Sequence, residues 1–174
     1  MGLSNLFAKL KRRDISTLNV MCSPTLAEQV EVIMAATSPG PALGAEARET
    51  LRALVEEQWP AACLARDWDK VLAMCAQDIV YMPADHPALR GQVEFRAWLH
   101  QFPPIVKMDQ PLEDAEGRGD LAVVRASFAV ALEAGGKQVD STGKVLCSFH
   151  RQASGKWLVK SVCWNWDQPM TPVS

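Results

Sequence analysis

The last third of the chain constrains its fold most. Three strand-like runs follow one another: GDLAVVRASFAVAL (119–132), KVLCSFHRQ (144–152) and KWLVKSVCWNWDQP (156–169). Gly135-Gly136 and Ser154-Gly155 separate them, and dipeptides of this kind mark turns. Helical stretches and a Pro-rich loop, YMPADHPALRG (81–91), come before the meander. Helices first and an antiparallel meander after them is an α+β order. A chain of 174 residues, 48% of them hydrophobic, can bury one such core and carry an appendage.

The appendage ends at TSPGPALG (37–44), where two prolines and two glycines in eight residues read as a linker. Residues 1–36 hold two candidate helices. In the first, 2–13, Leu3, Leu6, Phe7 and Leu10 form one apolar stripe, with Lys9, Lys11, Arg12 and Arg13 beside it or at its end. In the second, 24–36, Thr25 and Glu28 have capping-box spacing, and Leu26, Val30, Ile33 and Met34 form a stripe. Neither helix can bury its own apolar face. The segment is expected to dock on the domain, a twin subunit, a protein partner or an anionic membrane surface, where each Lys or Arg contributes about 1 kcal/mol.

The domain proper is expected over 45–169, with 170–174 as a tail. Residues 46–66 read as a long helix with Leu51, Leu54, Val55, Trp59 and Ala62 on one face, and Pro60 should bend or split it. Asp67 can N-cap a second helix, 68–76, with Trp68, Val71, Leu72 and Cys75 inward. A short strand, 78–82, follows. Gly91 or Gln92 opens a third helix carrying Val93, Phe95, Trp98, Leu99 and Phe102, which Pro103-Pro104 ends. Residues 105–115 read as a weaker strand, with Pro111 at an edge or bulge.

Charge and cysteine usage narrow the function. A net charge of −2 gives no electrostatic reason to expect nucleic acid. The five cysteines are odd in number and lack metal-like spacing, so they read as free thiols in a reducing compartment. Three scattered histidines without an acidic cluster argue against a metal, and nothing calls for a cofactor. No run approaches the ~18 apolar residues of a membrane span, and no signal-peptide pattern opens the chain. The expected location is the cytoplasm, with the inner membrane face as the alternative site for the basic N-terminal segment.

Residues 56–99, EEQWPAACLARDWDKVLAMCAQDIVYMPADHPALRGQVEFRAWL, resemble the opening of the nuclear transport factor 2-like superfamily. Its relatives include ketosteroid isomerase and the SnoaL polyketide cyclases. The shared features are a helix ending in ARDWD, a helix ending in CAQDIV, a Pro-rich loop, and RG opening a helix. GKWLVKSVCWNWDQP resembles the superfamily's last strand. The resemblance covers roughly 45–169 and implies a cone: a strongly bent antiparallel sheet wrapped around three helices. It also implies a homodimer through the sheet's outer face, and a pocket for an apolar small molecule.

The isomerase's catalytic acid does not carry over. Its place here, counted from Asp78, is Pro83, and the first helix has no Tyr; Tyr81 is the only one in the chain. Asp85 and His86, in the loop, can form a general acid/base pair; they can equally be a turn Asp and an exposed His. Tyr81 can donate to a ligand carbonyl or simply pack. Arg125 and Ser127 share one face of the long strand and are pocket candidates if that face is concave. Trp59, Trp98 and Trp164 suit a flat apolar ligand as well as a core or interface. Trp164 and Trp166 should project to one side of the last strand and Trp157 to the other. Two functions follow. One is a non-catalytic small-molecule-binding or protein-assembly module. The other is an isomerase, cyclase or dehydratase using Asp85, His86 and Tyr81. Two of those three groups converging on one point would favour the enzyme.

Overall fold

A computed structural model describes residues 40–168. The expected N-terminal docking residues Leu3, Leu6, Phe7, Lys9, Leu10, Lys11, Arg12 and Arg13, and the tail, lie outside the described residues. Helix α1 (Ala45–Ala53) passes through a π-helical turn (Leu54–Gln58) into α2 (Trp59–Leu64). Next come α3 (Trp68–Ala73), β1 (Cys75–Met82), β2 (Leu89–Arg90) and α4 (Gly91–Gln101). The chain then forms β3 (Ile105–Asp109), β4 (Leu112–Arg118), β5 (Leu121–Ala134), β6 (Lys137–Arg151) and β7 (Trp157–Trp166). Among the described residues, no helix is long and apolar enough to cross a membrane.

The strand order is β2-β1-β7-β6-β5-β3, with β4 also on β5. The α+β architecture is the expected one. One pairing corrects the purely antiparallel expectation: β1 runs parallel to β7, so the sheet is mixed. The curl has a cause in β5. Its first part, to Ala126, pairs β4, and its second part, from Ala129, pairs β3. One long strand thus turns from one neighbour to another and carries the sheet around the helices. Along β5, Ala122, Val124, Ala126, Phe128 and Val130 are buried while Val123, Arg125 and Ala129 are exposed, the period of two expected for a sheet with one wet face. Leu51, Ile79, Phe95 and Phe149 complete the core and are fully enclosed.

Pro60 neither breaks the first helix nor splits it. Trp59 N–H donates to the Leu54 carbonyl five residues back, and the backbone stays helical throughout. Pro60 has no N–H for the Val55 carbonyl. The buried side chain of Gln110 supplies one instead, with Nε2 at 3.3 Å. Helix α3 stops earlier than expected because distant groups take its last carbonyls. Gln92 Nε2 donates to Leu72 O at 3.0 Å, Lys156 Nζ to Ala73 O at 2.8 Å, and Val159 N–H to Met74 O at 2.9 Å. Phe102 ends α4 in extended conformation, as a residue before proline favours. Pro111 divides the expected strand 105–115 into β3 and β4.

Residues 40–43 of the expected linker lie along the β4–β5 turn. Leu43 N–H donates to Gly117 O at 3.0 Å, and Gly119 N–H to Pro41 O at 2.9 Å. A β-bulge at Lys160 corrects the expected facing of the last strand. Ser148 pairs with Ser161 but Phe149 with Val159, so one residue of β7 is extra. The alternation therefore shifts, and Trp157, Val159, Val162 and Trp164 are all buried on the same side.

Candidate functional site

The inner side of the sheet does not close on the helices everywhere. Between α2, α4 and the far halves of β5, β6 and β7 it leaves a cavity of about 90 Å³. Phe102, Ile105, Met108, Val145 and Trp166 form a partly exposed, apolar rim. The interior wall is aromatic and sulfur-rich, with Trp68, Trp98, Phe149, Met74, Cys63 and Cys147. Among the described residues no Asp, Glu, His, Lys or Arg lines it, Gln110 is the one carboxamide, and Tyr81 carries the one hydroxyl.

Burial pushes the Cys63 and Cys147 thiols up to about 12, so neither is a thiolate near neutral pH. Burial also holds the Tyr81 phenol well above its usual range, and the nearby thiols add to that; the adjacent Trp164 indole acts the other way. Tyr81 is fixed by stacking on Phe95, with ring centroids 4.1 Å apart, and by Trp98 at 5.3 Å. Its register partner on β7 is Val162, two residues before Trp164. Tyr81 and Trp164 are thus diagonal neighbours on the inner face, within reach for two long aromatic side chains. The Trp164 Nε1–H, on a residue only 9% exposed, lies outside strict hydrogen-bond geometry, with the Tyr81 oxygen as the acceptor beside it. It is the one such buried side-chain polar atom among the described residues.

The candidate residues divide clearly. Trp59, Tyr81, Trp98 and Trp164 line the cavity. Arg125 and Ser127 do not: both belong to the outward set of β5, and Arg125 is exposed and paired to Asp114 at 2.9 Å. Asp85 and His86 are exposed in the loop after β1, away from the cavity. Asp85 takes a left-handed turn conformation, and His86 Nδ1 lies 2.7 Å from Pro87 O. Of the three groups expected for an enzyme, only Tyr81 reaches the cavity. No group of three or more potential metal ligands occurs among the described residues. Sequence reading missed Gln110, Met108, Phe128 and the two thiols as lining. The alternation of Phe128 with Val130 was visible, but only the curl of β5 shows which face is concave.

Residues 56–159 match the family model of the SnoaL-like domain, and the chain belongs to that family. A ketosteroid isomerase-like protein from Erwinia carotovora atroseptica superposes with a TM-score of 0.59 at 20% identity, over 64% of this chain and 90% of that one. A putative calcium/calmodulin-dependent protein kinase II association domain from Xanthomonas campestris has a TM-score of 0.59 at 19% identity, over 74% and 91%. A nuclear transport factor 2-like protein with a cystatin-like fold from Novosphingobium aromaticivorans has a TM-score of 0.55 at 16% identity, over 87% and 94%. At these identities the likeness is one of fold. No curated protein matches the chain significantly.

Proposed function

We propose that the domain is a non-catalytic binding module whose cavity takes a small, neutral, apolar molecule. The observation that carries this reading is the wall itself, which is aromatic and sulfur-rich and has no charged side chain among the described residues. A charged ligand would lose its hydration there and find no counter-charge. Acid–base catalysis near neutral pH needs a group that titrates there. Tyr81, Cys63 and Cys147 are all displaced to higher pH. Size narrows the ligand further. A cavity of about 150 Å³ holds benzene, so the 90 Å³ here fits one ring only if it protrudes through the rim or displaces rim side chains.

Titration with toluene, followed by tryptophan fluorescence, tests the reading. Saturable one-to-one binding is expected, with equal affinity in a combined Asp85→Asn, His86→Ala variant. Absence of saturable binding would remove the ligand reading. Loss of affinity in that variant would return the loop to the site and revive an isomerase-type enzyme.

Assembly is proposed alongside binding. Leu121, Val123 and Leu146 are exposed on adjacent strands of the outer sheet face, beside Arg125 and Asp114. A second copy related by a two-fold axis would cover these apolar groups and match each Arg125 to an acid of the other. Sedimentation of Leu146→Lys checks this: a dimer that becomes a monomer supports it, and an unchanged dimer removes this face. Deleting residues 1–13 and measuring liposome co-sedimentation tests the membrane alternative for the basic segment.

A further inference from the structure

Resting on the binding reading, we propose that the ligand carries a hydroxyl group, and that the Gln110 carboxamide selects for it. Gln110 occupies the break between β3 and β4, just before Pro111. Its side chain lines the cavity, and the residue is only 7% exposed. A carboxamide in such an apolar wall is costly unless its polar atoms find partners.

One half of the amide is committed. The first helix runs through Pro60, which has no N–H for the Val55 carbonyl. Gln110 Nε2 donates there at 3.3 Å. The reverse placement would set two acceptor oxygens against each other, so the partner settles which end of the amide is which. Nε2 and Oε1 diverge from one carbon, and anchoring Nε2 on Val55 turns Oε1 away from it. Among the described residues Oε1 accepts no hydrogen bond. It is not sealed in either, because Trp164 Nε1 is the one sealed side-chain atom without a partner among those residues. On so buried a residue, the space open to Oε1 is the cavity.

The other polar groups of the wall lie elsewhere. The Tyr81 oxygen and the Trp164 indole N–H are beside each other and satisfy one another. They belong to β1 and β7, and three strands separate β1 from β3 in the sheet. The unmatched acceptor is therefore at the β3 side. A carboxylate would bring only lone pairs to Oε1. A cation would find no carboxylate among the described lining residues. A bare hydrocarbon would leave Oε1 unmatched. A hydroxyl fits best, since it can donate to Oε1 and accept from the second Nε2 proton. The ligand class is a neutral phenol or alcohol of about one ring. Its hydroxyl sits against Gln110, and its apolar body lies along the aromatic wall.

The test compares two probes of the same shape, phenol and toluene, on the full chain and on Gln110→Met. The substitution removes the carboxamide at nearly constant volume. Phenol should lose about tenfold in affinity relative to toluene, the factor that follows from one ordinary hydrogen bond. Gln110→Met also leaves the Val55 carbonyl unpaired, so a second readout uses the unmodified protein. There phenol should move the Gln110 side-chain carbonyl ¹³C resonance downfield, and toluene should not. Equal losses for both probes, or a carbonyl resonance indifferent to phenol, would overturn the proposal while leaving the cavity a binding site. Binding of neither probe would instead remove the cavity as a ligand site, and this proposal with it.

Discussion

The two ends of the curled sheet solve the same packing problem with opposite means. At the end near the β4–β5 turn the inward residues are small: Ala115, Ala122, Val124 and Ala126. There Gly117 faces Ala122 so closely that a Cβ would lie 2.4 Å from the Leu121 carbonyl. At the other end the inward residues are Phe128, Val130, Leu132 and Trp164. Gly143 faces Phe128 there, and a Cβ on it would lie 2.2 Å from the Phe128 ring. One glycine brings two backbones together, while the other makes a bed for a ring. Small side chains let strands close to crystal-like density. Rigid rings set edge to face, such as Trp164 and Trp166 at 81°, meet at angles that leave gaps. The closed end holds the fold, and the open end holds the cavity.

Substitutions can break that comparison. The largest effect belongs to Leu51→Ala at the closed end, where full burial implies a loss of about 2–5 kcal/mol by chemical denaturation. Cavity-ligand affinity should remain in the folded fraction. Gly117→Ala should cost about 1–3 kcal/mol, because the added methyl meets backbone atoms. Gly143→Ala should also destabilise. It alone of the two should change ligand affinity, since Phe128 must move. Titrating both variants with the same probe separates the two ends.

Alkaline pH sharpens the contrast. Unfolded chains shed their thiol protons above about 8.5, whereas burial keeps Cys63, Cys75 and Cys147 protonated up to about 12. The unfolded state then binds fewer protons, so stability falls as pH rises. This contribution is complete below about 8.5 and disappears as pH passes the folded-state values. Denaturant midpoints under reducing conditions should decline from pH about 8 to about 11, and less so in Cys63→Val, Cys147→Val. Smaller still is Cys63→Met, which fills the open end from within. It should leave the protein folded yet abolish probe binding. Smallest is Arg125→Ala: its exposed pair with Asp114 on the outer face predicts no measurable change in ligand affinity.

The order of elements was legible because alternation along 119–132 and the stripes on the helices are local patterns. The family resemblance added the cone. What could not be read locally was fixed by distant partners. The end of α3 depends on Gln92, Lys156 and Val159, and the survival of the first helix across Pro60 depends on Gln110. For the site, aromatic content pointed to Trp59, Tyr81, Trp98 and Trp164. Whether Arg125 and Ser127 enter the site depends on which face of β5 is concave, a property of the sheet's curvature and not of alternation. Asp85 and His86 were suggested by chemistry alone, and the loop after β1 turns both outward.

The extra residue at Lys160 acts on β7 as a frameshift acts on a message. Every position after it is read in the opposite phase from every position before it. Pairing Lys160 regularly, with no residue bulged out, would exchange inside for outside over Val162–Trp166, sending Cys163 and Asn165 inward and Trp164 to the wet face. Deleting it would instead restore plain alternation and keep Val162 and Trp164 inward. Register along this strand is thus a specificity setting, and relatives lacking the bulge would need their tryptophans one position over to present the same wall.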